Sequence, residues 1–381
     1  MSRTVGINPA YLSKLEPEQR TWLTGKAEGL KFFDEFLSKH GKHIFFIGRT
    51  NSGKTQKGYW LVNWLKHTEV QIWISSGKPD EILPLLCMGK KVRIITPEKC
   101  DIIIEERVRG QGWQRIADHP EVVGVNSPEG IIGAIVGKSY DKNRNYHPEC
   151  INIIELRNSF YNPLKAVEWV GGFFETLARK TRLRQLPANL FPCTIHLDES
   201  HWALAGKRVS CDPIRTKTSE IITENALESR SAGIRLAMYD QDHNNITPAS
   251  RENLLCAVLC HGADVKSDEN PALGRWCQLQ QPAHPSRFKS HQGRFVYEDG
   301  SSFPPDGVWN FPFFPRSEID REWIKRVRVR PVGFYDIGSD EEKEEFAIPF
   351  PFMGIVPAFT MQEEKSENDE HYSRYHIPEE C

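Results

Sequence analysis

Gly48-Arg49-Thr50-Asn51-Ser52-Gly53-Lys54-Thr55 follows the apolar run His43-Ile44-Phe45-Phe46-Ile47 and precedes a stretch with helical spacing. A glycine-bounded loop between a strand and a helix, closing on Lys-Thr, is the arrangement that cradles a polyphosphate. Gly48 and Gly53 allow backbone angles that a Cβ would penalise. Successive N–H groups can then turn inward around phosphate oxygens at a helix N-terminus, whose dipole favours negative charge. All eight residues are candidate contacts to ATP. Lys54 is placed to neutralise the β and γ phosphates, and Thr55 to offer its hydroxyl to Mg2+, a hard cation that takes oxygen ligands.

Working outward, Trp60, Leu61, Trp64 and Leu65 repeat at helical spacing and predict a helix that buries one face on a sheet. Residues 70–74 read as a second strand and residues 92–95 as a short third. Strands resume at 151–156, 191–197 and 234–239. Between them lie a helix opened by Asn162-Pro163, a good N-cap and first helical position, and another from near Ser219 to Gly233. Such alternation implies an α/β fold with a mainly parallel sheet and helices on both faces. Ligands then sit at the carboxyl ends of the strands, where the phosphate loop lies.

The boundaries read as a cap segment over residues 1–35, with a helix near Glu16 to Phe36, and a core over 36–281 that carries an insertion at 101–148. A Pro- and aromatic-rich arm over 282–361 follows, irregular and packed by contacts of Phe311-Pro-Phe-Phe-Pro315 and Phe350-Pro-Phe352. The acidic tail over 362–381 is expected to be disordered.

Thr194-Ile-His-Leu-Asp198-Glu199 ends a strand with adjacent carboxylates. An apolar run before Asp-Glu is by itself a common solvated strand end. Beside a phosphate loop it becomes hydrolytic: Asp198 holds the magnesium, and Glu199 orients and deprotonates the attacking water. That chemistry requires the loop and the couplet to meet, and the expectation is that they do so across neighbouring strand edges. Glu199 favours a hydrolase over a small-molecule kinase.

The segment Ala226-Leu-Glu-Ser-Arg230-Ser-Ala-Gly-Ile-Arg235-Leu-Ala-Met-Tyr-Asp-Gln241 resembles the FtsK/HerA superfamily after its hydrolytic carboxylates, where an Arg-bearing helix leads through Gly to a strand ending in Gln. Together with Gly48 to Thr55 and Cys193 to Glu199, the resemblance implies a RecA-like P-loop NTPase core. It implies ATP hydrolysis coupled to movement of double-stranded DNA by a homo-oligomeric ring, hexameric in the family, in viral genome packaging or in plasmid or conjugative transfer. A capsid, relaxosome or membrane-complex protein would be the partner, and the host cytoplasm or the virion the location. Gln241 would sense the γ phosphate. Arg230 would be an arginine finger for the neighbouring subunit's nucleotide, with Arg235 as the other candidate. Where family members carry Asp-Pro-Lys, this chain has Ile74-Ser-Ser-Gly-Lys78, so no role is carried over there. Asp198-Glu-Ser-His201 also matches the DExH box of superfamily 2 helicases, but neither Ser-Ala-Thr nor Gln-x-x-Gly-Arg-x-x-Arg follows.

Lys plus Arg number 49 against 51 Asp plus Glu, a net charge of −2, so no global positive field attracts a polyanion. A grip on DNA then falls to local clusters. The loop after the carboxylates offers Lys207, Arg208, Arg215 and Lys217. Residues 179–184 place Arg179, Lys180, Arg182 and Arg184 at a helix C-terminus, where cations also complement the dipole. Trp323 to Arg330 alternates basic and apolar residues like an edge strand, whose charges discourage edge pairing. The same charge balance admits a second class, a nucleotide-gated assembly or secretion ATPase that acts on protein partners without DNA. The nine cysteines show no C-x-x-C spacing; Cys256 and Cys260 read as buried thiols on one face of a strand, which suits a reducing cytosolic interior. No apolar run reaches the roughly 18 residues of a membrane span.

Overall fold

The computed structural model describes residue 17 and residues 41–89, 91–116, 120–139, 150–183, 185, 192–204, 212–248, 256–278, 283–304 and 307–336. The expected N-terminal helix, Pro17 excepted, and the acidic tail lie outside the described residues.

The apolar run before the phosphate loop forms β1 (Ile44–Ile47), buried at every position, as an interior strand of a sheet covered on both faces must be. Ile44 and Phe46 enter one apolar cluster, Phe45 and Ile47 the other, because strand side chains alternate faces. After β1 come α1 (Lys54–Leu65), β2 (Val70–Ile74), α2 (Pro79–Leu86), β3 (Lys91–Pro97), β4 (Asp101–Val108), β5 (Gly112–Arg115), β6 (Glu121–Val125) and α3 (Pro128–Ser139). Then follow β7 (Cys150–Ile154), α4 (Pro163–Arg182), β8 (Cys193–Leu197), α5 (Pro213–Ser229), β9 (Ile234–Asp240), β10 (Cys256–Cys260) and α6 (Pro271–Gly274). The C-terminal part adds β11 (Gln292–Tyr297), β12 (Ser302–Phe303), β13 (Trp309–Asn310), α7 (Glu318–Ile324) and β14 (Val327–Val332).

The main sheet has the order β12-β11-β10-β1-β9-β8-β2-β7-β3-β6. It is parallel from β10 to β6, and β11 joins β10 antiparallel. Ile131 and Ile135 of α3, Val170 and Phe174 of α4 and Ile222 of α5 cover one face. Trp60 and Trp64 of α1 and Ile82 and Leu85 of α2 cover the other. α4 starts where Asn162-Pro163 predicted, the Asn162 side chain accepting from Leu164 N at 3.0 Å. α1 approaches the sheet closely at Gly58, where a Cβ would meet Trp73 and Tyr239 at 2.9 Å.

Two stretches differ from their sequence reading. The expected insertion is not one piece: β6 and α3 extend the main sheet beside β3, whereas β4 and β5 pair with β14 in a separate three-stranded antiparallel sheet. Up to Asp336 the C-terminal segment packs by aromatic contacts, with Phe311 edge-on to Trp60 at 5.1 Å and Phe303 and Phe314 in the α1 and α2 cluster; Phe350-Pro-Phe352 lies outside the described residues. It also supplies strands to both sheets. Cys256 and Cys260 share the buried face lined by Val258 and Phe295.

Candidate nucleotide site

The phosphate loop leaves the carboxyl end of β1 and is fastened to the two flanking strands. Gly48 N donates to the Asp240 carbonyl at 3.2 Å, and Arg49 N to the His261 carbonyl at 3.1 Å. Gly48 has no room for a side chain, since a Cβ would lie 2.7 Å from Cys260 Cβ and 2.8 Å from Ser52 Oγ. Gly53 takes φ 72° and would bring a Cβ within 2.3 Å of the Ser290 carbonyl oxygen. Arg49, Thr50 and Asn51 form the exposed rim. Ser52 Oγ is buried without a hydrogen-bond partner among the described residues, and an orphaned hydroxyl in a loop of this kind calls for a ligand oxygen.

Lys54 Nζ donates to the carbonyls of Gly48 at 2.8 Å and Arg49 at 3.1 Å. Burial lowers its pKa, against the opposing pull of Cys260, Asp198, Asp240 and Glu199. Thr55 Oγ1 lies 3.4 and 3.3 Å from the two Asp198 carboxylate oxygens. β9 stands between β1 and β8, so loop and couplet meet over an intervening strand end rather than across neighbouring edges. The separation is nonetheless bridged by a single hydroxyl.

Asp198 is almost wholly buried. Burial, with the nearby Glu199 charge, pushes its carboxyl up to about 6, although Lys78 and Lys54 pull the other way. Glu199 adopts a left-handed backbone at φ 47° and pairs with Lys78 Nζ. Burial would raise Glu199, but the Lys78 ammonium prevails and holds it below the usual carboxylate range. Among the described residues no group of three or more His, Cys, Asp or Glu side chains could hold a metal by itself. Thr55 and Asp198 instead supply two oxygen donors of the type that Mg2+ accepts alongside phosphate and water.

Three charged residues join this site that the sequence reading did not single out. Asp240, the buried end of β9, accepts from His201 N at 2.7 Å, from Asn245 Nδ2 at 2.7 Å and from Gln241 N at 2.7 Å. His201 Nδ1 lies 3.0 Å from Asp240 and its Nε2 4.0 Å from Glu199, linking the two strand ends. Lys78 follows β2 at the same sheet edge. The legible signal for Asp240 was a carboxylate closing a strand that is apolar but for Arg235, beside Gln241; for Lys78, a lysine in the loop after the second strand.

The remaining candidates scatter. Gln241 is exposed, one residue beyond the carbonyl that anchors Gly48. Arg230 is exposed in the turn before β9, at the opposite end of a seven-residue strand, about 20 Å from the loop at ~3.3 Å per residue. Arg235 is fully buried, paired with Glu69 at 3.1 Å and donating to the Lys42 carbonyl at 3.0 Å; it is not available as a finger. Arg215 and Lys217 belong to the first turns of α5, which begins at Pro213 under an Asp212 cap, earlier than the Ser219 expected because Asp212 satisfies Ile214 N and Arg215 N. Lys207, Arg208 and Arg184 lie outside the described residues. Arg179 and Lys180 pair with Glu129 at 3.1 and 3.4 Å, and Arg182 with Glu228 at 3.4 Å, the solvated surface pairing of an ordinary helix end. No helix among the described residues is long and apolar enough to cross a membrane.

No protein-family model matches this sequence, and no curated protein matches it. Among solved structures the chain is similar to the genome packaging NTPase B204 from Sulfolobus turreted icosahedral virus 2 in complex with AMPPCP: 14% identity over 72% of this chain and 98% of that one, TM-score 0.30. For B204, the DNA-packaging ATPase from Sulfolobus turreted icosahedral virus, the values are 12%, 72%, 99% and 0.33. For EccC (ATPases 2 and 3) of Thermomonospora curvata in complex with a signal sequence peptide, they are 11%, 76%, 41% and 0.37. The parallel strand order of this chain, its glycine loop and the carboxylate couplet beside that loop make it an α/β core of the P-loop NTPase kind.

Proposed function

We propose that this chain hydrolyses ATP and couples the hydrolysis to movement of double-stranded DNA, as a homo-oligomeric ring of FtsK/HerA type. The observation that carries the hydrolytic part is the Thr55 hydroxyl within 3.4 Å of the Asp198 carboxylate, with Glu199 next in sequence. Bound magnesium would neutralise phosphate charge between Thr55 and Asp198. Lys54, released from the Gly48 and Arg49 carbonyls, would neutralise the β and γ phosphates. Glu199 would orient the attacking water and accept its proton once it leaves Lys78.

Gln241, beside the loop, is suited to sense the γ phosphate. Arg230 is too far from its own chain's loop and would serve a neighbouring subunit, which is what the ring requires of a finger. The setting consistent with this reading is viral genome packaging or plasmid or conjugative transfer, with a capsid, relaxosome or membrane-complex protein as partner.

The competing function, a nucleotide-gated assembly or secretion ATPase, is favoured by one contact. The Gln56 side chain in α1 accepts from Phe314 N at 2.7 Å and donates to Phe314 O at 3.1 Å, tying the C-terminal segment to the helix that follows the phosphate loop. ATPase assays with and without duplex DNA separate the two. A motor is stimulated several-fold at low salt and loses that stimulation as salt rises; turnover indifferent to DNA leaves only the docking ATPase.

A further inference from the structure

We propose that the outer face of the three-stranded sheet β14-β4-β5 holds the phosphate backbone of duplex DNA, apart from the nucleotide site. It deepens the DNA part of the function above by naming a grip, and it does not require hydrolysis.

The inner face of this sheet sends Ile102, Ile104, Val327 and Val329 into the core. Directly opposed residues share a face, so the pairing sets the outer one: Glu105 beside Arg115 and Arg328, Arg107 beside Trp113, and Arg330 beside Ile103. Arg109 stands in the β4–β5 turn. Arg107, Arg109 and Arg115 are exposed. The Arg328 guanidinium lies 4.2 Å from the centre of the Trp113 ring and donates to Glu105 at 2.7 Å; Arg330 donates to the same carboxylate at 3.4 Å. Arg115 has Asp101 at 3.7 Å. Four guanidiniums on this face, with Arg109 in the adjoining turn, thus stand against two carboxylates, Glu105 and Asp101, in a chain whose net charge is −2.

The chemistry selects the occupant. Planar guanidinium forks match phosphate oxygens in pairs, and Glu105 holds two of them in fixed orientation. One face of Trp113 already carries Arg328, which leaves a surface built for backbone contact rather than for stacking unpaired bases. Eight residues of β4 span about 25 Å, enough to follow several phosphates along a duplex. Charges that merely protect a sheet edge need no common sign; here the excess is all positive.

The test measures binding of a labelled duplex of about 30 base pairs to the full chain, without nucleotide, over a range of salt. Replacing Arg107, Arg109 and Arg115 together by Ala is expected to weaken binding at least tenfold at low salt. The slope of log K against log salt should fall by about 2–3, at roughly 0.9 for each phosphate left without its cation. The same three positions changed to Lys keep the slope, because an ammonium also neutralises phosphate. ATP-analogue binding and the thermal midpoint of the Ala variant stay at wild-type values, which separates this grip from misfolding and from the ATPase assignment. An unchanged slope in the Ala variant overturns the proposal. So does weakening confined to single-stranded oligonucleotide, or a wild-type chain that binds polyglutamate and not duplex.

Discussion

The two ends of the parallel sheet hold their charges in opposite ways. At the amino end, Glu69 and Arg235 are both fully buried and paired at 3.1 Å; Arg235 also reaches the Lys42 carbonyl, and the Thr194 hydroxyl donates to Glu69. At the carboxyl end, Asp198 is buried with its carboxyl raised to about 6, Lys54 is lowered by burial and turned onto its own loop, and Ser52 Oγ has no partner among the described residues. One end satisfies its ions from within the chain. The other leaves them to a ligand, and perturbed groups gathered at one edge are the mark of a functional site.

The sharpest way to break this contrast is at Glu199. Glu199→Gln removes the base and keeps the shape, so turnover is expected to fall by about 10²–10⁴-fold while an ATP analogue still binds. Phosphate release and analogue titration read the two separately. Turnover close to wild type would remove the hydrolytic role from the carboxyl end altogether.

At the amino end the expected loss is of stability instead. Arg235→Ala leaves Glu69 buried without its cation, at a cost of about 3–5 kcal/mol in chemical denaturation. Arg230→Ala, five positions earlier and exposed, should move the same midpoint by no more than ~0.5 kcal/mol. Under the ring reading it nonetheless abolishes turnover. A tolerated Arg235→Ala would mean that the pair is not what holds this end together.

Asp198→Asn sharpens the comparison because its sign is reversed. The folded carboxyl sits near 6 against 3.8 unfolded, so the folded state binds the proton more tightly. The penalty is absent below about pH 4, grows as pH rises through the interval, and is complete above 6. At ~1.4 kcal/mol per pH unit it amounts to about 3 kcal/mol. Removing the charge is therefore expected to stabilise the ligand-free chain at pH 7.5, and not at pH 4, while it weakens magnesium-dependent nucleotide binding. Thermal melts at the two pH values check it, and destabilisation at pH 7.5 would contradict the burial argument.

What could be read from sequence follows the range of the signals. The phosphate loop, β2, β8 and β9 are local patterns, and their apolar runs and caps placed them and α4 correctly. Strand β14 was legible only as alternation and β4 only as part of an insertion, because Glu105 finds its partner Arg328 more than 200 residues later and no local rule supplies that pairing. β11 was hidden by the Pro- and Phe-rich composition around it. Arg235 looked like a free cation because nothing near it in sequence announces Glu69. Asp240 was overlooked in favour of Gln241 next to it, since the strand-end carboxylate gains its meaning only from His201, whose backbone and ring it binds across strands.

The smallest expected effect tests that His201–Asp240 pair, which with Lys78–Glu199 is where the carboxyl end satisfies a charge in the manner of the amino end. The hydrogen bond to Asp240 raises His201, burial opposes, and the Asp240 and Glu199 charges add to the rise. With a folded pKa above the ordinary 6.5, the pair's contribution is fully present below 6.5 and is lost as pH rises through the folded value. His201→Gln keeps a donor without the charge, so it should cost about 1 kcal/mol at pH 5.5 and nothing by pH 9. Unfolding free energies for the two proteins across that range measure the difference. A cost that stays level with pH would mean that His201 is neutral throughout and only packs. Asp240 would then be held by its neutral donors alone, the backbone N–H groups of His201 and Gln241 and the Asn245 amide, and the carboxyl end would keep one charge pair fewer.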